Sequence, residues 1–205
     1  MFDINHQGDD MPTITPKPEE MESRIMRFRN LVPKKTRYEG IPPEAFEAIA
    51  ANTIYQYLAP EGDGGAYRNH PGVRSLDGLT INLCRCPPGD GPALHAHDRT
   101  IETFMCMKGE FEIRWGDQGE HSTILEELDL ISLPMKVMRK FRNTRTEDSL
   151  LLVLIQGANK DVGADVQYAS ETGDRLAERF GQDVRERIEN MGWRFDAELG
   201  SLAKS

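Results

Sequence analysis

Between residues 53 and 156 the chain alternates short apolar or half-apolar runs with Gly, Pro, Asp and Asn, a rhythm that suits strands more than helices. The runs cover 53–58, 79–85, 94–97, 101–107, 111–115, 122–125, 130–133, 137–142 and 150–156. So many short strands with turn signals between them predict a barrel or a sandwich. The run 150–155 is apolar on both faces, and alternation puts Met105 and Met107 outside if Glu102 points inside. That exterior needs a cover, either terminal helices or a second subunit. Helical spacing appears only at the ends. Met21, Ile25 and Phe28 predict a short amphipathic helix over 19–29, and Pro42-Pro43-Glu44 opens another that runs to residue 51. Leu176, Phe180, Val184, Ile188 and Met191 put one apolar stripe on a C-terminal helix, with Gly192 as its stop, and this helix should close over the barrel or join a partner. The polar stretch 1–18, with prolines at 12, 16 and 18, reads as an extended arm. The pattern therefore divides the chain into an N-terminal arm with short helices (1–51), a β-barrel domain (52–160) and a C-terminal helical extension (161–205).

Composition narrows the function. A chain of 205 residues is long enough to bury a core without disulfides, and its formal charge of -9 disfavours nucleic acid and anionic membranes as partners. The first residues lack the basic and apolar segments of a signal peptide, and the longest apolar run is too short to span a bilayer, so a cytoplasmic location is expected. Three cysteines cannot all pair within the chain, and Cys84 and Cys86 stand one residue apart, so they read as free thiols in a reducing compartment. The chain has no Gly-x-Ser-x-Gly elbow, phosphate-binding loop, Cys-x-x-Cys pair or nucleotide fingerprint. The Arg-rich stretches 24–29 and 139–145 are interleaved with apolar or acidic residues and read as helix or strand faces.

The chemistry gathers at His95-Ala96-His97, followed by Glu102 and Gly109. Strand parity puts His95 and His97 on one face, and the turn Asp98-Arg99-Thr100 brings Glu102 in from the next strand, so one β-hairpin is expected to present all three. Two imidazoles and a carboxylate suit a first-row divalent ion and leave coordination positions open. The same parity turns Phe104 and Cys106 inward. Each is read first as barrel core, with substrate stacking as the second role for Phe104 and a thiol near the ion as the second role for Cys106. His6, His70 and His121 lack partners at ligand spacing and read as solvent-exposed.

The run Gly89-Asp90-Gly91-Pro92-Ala93-Leu94-His95-Ala96-His97-Asp98-Arg99-Thr100-Ile101-Glu102, continuing to Gly109, resembles the first conserved motif of the cupin superfamily. The resemblance spans roughly residues 78–156 and implies a mainly β fold, a double-stranded β-helix or jelly-roll barrel, here with N-terminal and C-terminal helical extensions. It also implies a divalent metal in the lumen, held by His95, His97 and Glu102, with Fe(II) the first candidate and Zn, Mn or Ni the others. A homodimer is implied as well. The second cupin motif is degenerate. Its Gly, Pro-x-Gly, His and Asn positions correspond to Leu128, Pro134, Lys136, Arg139 and Asn143, so a guanidinium stands where the family places another ligand. Arg139 could bind an anionic substrate beside the ion, pair with Glu102 in place of the ion, or snorkel out of the mouth. The leading expectation is a metal-dependent, dioxygenase-like enzyme acting on a small anionic organic molecule. The alternative is a non-catalytic cupin that binds or senses a small ligand.

Overall fold

The structure is a computed structural model, and it describes residues 13–37, 40–60, 72–158, 165–197 and 199. His6 and His70 lie outside the described residues. Among the described residues, eleven strands form two sheets: β1 (Thr53–Pro60), β2 (Val73–Ser75), β3 (Leu79–Cys86), β4 (His95–His97), β5 (Thr100–Lys108), β6 (Phe111–Trp115), β7 (His121–Leu125), β8 (Leu130–Leu133), β9 (Arg139–Asn143), β10 (Ser149–Gly157) and β11 (Val166–Tyr168). The first sheet runs β2-β1-β3-β10-β5-β8 and the second β11-β4-β9-β6-β7. Nine of these strands coincide with the predicted runs to within a few residues. The other two, β2 and β11, have three residues each, too few for an alternation to declare itself.

Burial along the strands explains the pairing. On β5, Thr100, Glu102, Phe104 and Cys106 are buried while Ile101 and Met107 are exposed, and on β10 Leu151, Val153 and Ile155 are buried. The inward residues close one core, in which the Phe141 ring meets Phe104 and Phe111 edge-on at 5.2 and 5.8 Å. Each such pair contributes about 0.5–1.5 kcal/mol beyond its buried area.

Residues 128 and 136 have left-handed backbones, with φ of 72° at Leu128 and 64° at Lys136. These are the two positions that correspond to glycines of the second motif, and both hold the backbone conformation that favours glycine. A side chain in this conformation costs about 1–2 kcal/mol, and Leu128 is 68% exposed with little packing to offset it. Leu128→Gly should therefore stabilise the protein by about 1 kcal/mol, read as a rise of roughly 2–4 °C in Tm. An unchanged or lower Tm would mean that the leucine side chain holds the turn.

The helical ends depart from the pattern in two ways. In place of a helix over 19–29 the chain forms α1 (Pro18–Glu22) and a separate 3-10 turn at Phe28–Asn30. Met21, Ile25 and Phe28 stay about half exposed, so no buried face carries a longer helix, and the Ser23 hydroxyl donates back to the Glu20 carbonyl at 2.6 Å where α1 stops. At the C-terminus the single stripe divides into α3 (Ser170–Phe180) and α4 (Gln182–Glu189). The break is Gly181, whose φ of 97° is closed to other residues without strain. The break lets α4 fold back along α3, where Arg185 reaches Asp174 on α3 and Glu189 on its own helix, both at 2.9 Å.

The stripe residues Leu176, Val184 and Ile188 pack with Tyr168, Trp193 and Phe195 against Ala45, Phe46 and Ile49, in and just after α2 (Pro43–Glu47). Residues 41–50 and 166–195 thus join in a second core beside β11, the strand that pairs with β4. Among the described residues, no helix is long and apolar enough to cross a membrane.

Candidate metal centre

His95 and His97 lie on β4 in the second sheet, whereas Glu102 lies on β5 in the first. This corrects the expected hairpin. Residues 98–99 turn a corner between sheets, so the three side chains approach across the lumen instead of side by side. All three are buried, at 6%, 2% and 5% exposure. Their candidate ligand atoms lie within 4.8 Å of one another, and Glu102 Oε2 is 3.7 Å from the Nε2 of each histidine. Ligand atoms bound about 2.0–2.2 Å from one ion stand roughly 3.0–3.5 Å apart, so a small inward shift satisfies an ion.

The far side of each ring decides which nitrogen faces the lumen. His95 Nδ1 lies 2.8 Å from the Ala93 carbonyl oxygen, which can only accept, so the neutral ring donates there and turns a lone pair on Nε2 inward. His97 Nδ1 lies 2.9 Å from Asp165 Oδ1, with the same result. Asp165 also accepts from the Arg99 amide at 2.9 Å and from the Thr100 hydroxyl at 2.9 Å. Burial would raise its carboxyl, but the bonds from His97, Arg99 and Thr100 hold it below the ordinary range. The sequence reading missed Asp165. It stands 68 residues from His97, and no local pattern marks it.

Electrostatics prepare the same donors. Burial lowers His95, and the nearby Glu102 only partly offsets this. Burial would raise Glu102, but His97, His95 and the Arg139 guanidinium outweigh it and hold the carboxyl at about 2. A neutral imidazole and an ionised carboxylate are the forms that bind a cation.

Arg139, on β9 directly opposite His95, is fully buried. Its Nη2 donates to the Pro134 carbonyl at 2.7 Å, and its Nε comes to 4.0 Å from Glu102 Oε2 without a hydrogen bond. Burial depresses its pKa, and Glu102 and Asp165 act the other way. A bidentate Arg–carboxylate pair would close to about 2.7–2.9 Å. Glu102 Oε2 instead has no hydrogen-bond partner and faces both imidazoles.

A cavity of about 70 Å³ adjoins the three donors, walled by Ala50, Asn82, Cys84, Val166, Tyr168 and Trp193 among others. Arg139, Phe104 and Cys106 are not part of this wall. Phe104 and Cys106 belong to the sealed core, where burial raises the Cys106 thiol. Tyr168 stands opposite His95 on β11, its ring 5.7 Å away and its hydroxyl donated to the Ile49 carbonyl at 3.1 Å. The exposed His121 sits beside Trp115 and takes no part.

Two sheets rolled around a lumen that presents two histidines and a glutamate define a double-stranded β-helix with a side-chain cluster that could hold a metal ion. Residues 82–155 match the family model described as a cupin domain, and this part of the chain is a cupin-superfamily domain. Similar solved structures include KdgF from Halomonas sp., at 20% identity over 43% of this chain and 77% of that one, with a TM-score of 0.39. TT1209 from Thermus thermophilus is 22% identical over 40% of this chain and 76% of that one, with a TM-score of 0.37. The capsular polysaccharide assembling protein CapF from Staphylococcus aureus is 13% identical over 56% of this chain and 29% of that one, with a TM-score of 0.41. A search of the curated proteins gave no match.

Proposed function

We propose that the protein is a metal-dependent cupin enzyme, dioxygenase-like, that acts on a small anionic organic substrate. The observation that carries this reading is Glu102 Oε2. It lies 3.7 Å from two imidazole nitrogens whose other ring nitrogens are tied back, and it takes no hydrogen bond from the guanidinium beside it. His95, His97 and Glu102 would hold the ion, with Fe(II) preferred because two histidines and one carboxylate are its common open set, and with Zn, Mn or Ni as the other candidates. When bound, the ion supplies Lewis acidity or redox chemistry at open positions. The chain's own contribution is to fix the ring orientations through Ala93 and Asp165, to exclude bulk water with Tyr168 and Trp193, and to place the Arg139 charge behind Glu102. That charge favours an anion in the lumen without touching it. Ile101, Met107 and Leu130 are exposed on the outer face of the first sheet and offer a surface for a homodimer. The cysteines, all free and buried, fit a cytoplasmic setting.

The second reading, a non-catalytic binder in which Arg139 neutralises Glu102 without metal, draws on their 4.0 Å approach. Metal analysis separates the two. Wild-type protein should bind one divalent ion per chain, His95→Ala should bind none, and Asp165→Ala should bind about 10–100-fold more weakly, because His97 loses the partner that orients it. A wild type without stoichiometric metal after reconstitution would leave only the second reading.

A further inference from the structure

Three polar side chains project into the barrel from strands that the metal centre does not use. Gln56 on β1, Thr80 on β3 and Asn82 on β3 are 2%, 2% and 5% exposed. Asn82 lines the same cavity as His95, His97 and Glu102. Gln56 is its direct cross-strand neighbour, and Thr80 lies in register with Ile155, which pairs with Glu102 on its other side. Directly paired residues share a sheet face, so all three face the barrel interior on the side that carries Glu102; of the three, Asn82 lines the cavity itself, and Gln56 and Thr80 flank Asn82 behind its present wall.

Four of their five polar side-chain atoms have no hydrogen-bond partner. Both side-chain atoms of Gln56, the Thr80 hydroxyl and Asn82 Oδ1 are buried without a hydrogen bond. The barrel satisfies a structural amide fully where it needs one. Asn143 donates to the Cys86 and Glu147 carbonyls at 2.8 and 2.7 Å, and accepts from the Arg145 amide and the Ser149 hydroxyl at 2.9 and 2.8 Å. Against that background, three neighbouring groups left unpaired on one wall are a burden on stability that the fold does not require. Leu151, Val153 and Ile155 fill neighbouring inward positions on β10 at no such penalty.

We infer that Gln56, Thr80 and Asn82 form the recognition wall for a hydroxylated carboxylate, rejecting molecules that lack the hydroxyls. The inference rests on the metal reading for the carboxylate end, which would sit at the open side of His95, His97 and Glu102. Primary amides and a threonine hydroxyl each donate and accept, as an alcohol does, and none carries charge. They match hydroxyl groups and offer little to an alkyl chain. A site built to bond a hydroxyl leaves its own groups stranded when the hydroxyl is absent, so discrimination is steep.

The test uses near-isosteric variants Gln56→Met, Thr80→Val and Asn82→Leu, with two readouts. In metal-free protein each should raise Tm by roughly 2–4 °C, because an unpaired buried group is removed. In calorimetric titrations of Zn(II)-loaded and metal-free protein, glycerate and propanoate serve as probes that share a carboxylate and differ in hydroxyls. Wild type should prefer glycerate at least tenfold, and the ratio should fall by tenfold or more in Thr80→Val and Asn82→Leu. A lowered Tm in all three variants, or a ratio unchanged in variants that fold, would overturn the recognition wall. Failure of wild type to take up Zn(II) overturns the metal reading instead, and the melting temperatures with the metal-free titrations then decide this one. Thr80→Val changes shape least and keeps the test informative if a larger substitution misfolds.

Discussion

Glu102→Ala should remove the ion and destabilise the metal-free protein by about 3–5 kcal/mol, since it strands a buried guanidinium. Arg139 is wholly enclosed, its one hydrogen-bond acceptor is the Pro134 carbonyl, and the carboxylate 4.0 Å away supplies the nearest compensating charge. Glu102→Ala/Arg139→Met should recover most of that loss, because an apolar pair of similar shape needs no compensation. Urea unfolding of wild type and the two variants in the presence of chelator measures this. The pH profile gives a second readout. The Glu102 carboxyl is held at about 2, below an ordinary glutamate, so its contribution is complete above the unfolded value near 4.3 and fades as pH falls toward 2. That acid-sensitive component should be missing from both variants. A single variant within 1 kcal/mol of wild type would show that Asp165, the other acid acting on Arg139, carries the compensation.

Arg139→His should tighten ion binding by on the order of 100-fold, or about 3 kcal/mol. Two effects act in the same direction. A fixed positive charge near the ion disappears, and even two unit charges 4 Å apart repel by about 4 kcal/mol at an effective dielectric of 20. A fourth donor, the third imidazole, also arrives on β9 opposite His95, where cross-strand Cβ atoms stand about 5 Å apart. The shorter side chain has to reach the ion, which trims the sum. Arg139→Met divides the contributions, since it removes the charge without adding a ligand. Competition with a chromophoric chelator reads both. Equal or weaker binding in Arg139→His would place the ion away from β9.

Much of the barrel was legible because a strand with one buried face writes its period into the sequence. Phe104 and Cys106 alternate with Met105 and Met107 on β5, and the structure buries the first pair more deeply. The His95, His97 and Glu102 cluster was legible because its members lie within one short stretch. What escaped was long-range or local in the wrong way. Asp165 acts on His97 from a distant loop, and Gln56, Thr80 and Asn82 look in sequence like ordinary polar strand residues. Their unpaired burial emerges only when β1 and β3 roll into the lumen. The helix break at Gly181 lay in plain view, yet the i, i+4 stripe ran straight across it, since a folded-back pair of helices can bury the same residues as one continuous rod.

The carbonyl of Ile49 joins parts of the chain that the family match leaves unrelated. It accepts from the Ala93 amide and from the Tyr168 hydroxyl, and the Ala93 oxygen in turn fixes His95. The cupin segment 82–155 is therefore not a portable module. Grafted onto another scaffold, it would carry His95, His97 and Glu102 but leave behind Asp165, which orients His97 directly, and the Ile49 carbonyl, which holds the Ala93 amide beside the oxygen that orients His95. Exchange of this domain between proteins would have to move its flanks as well, so the chain ends and the ion donors are bound to change together.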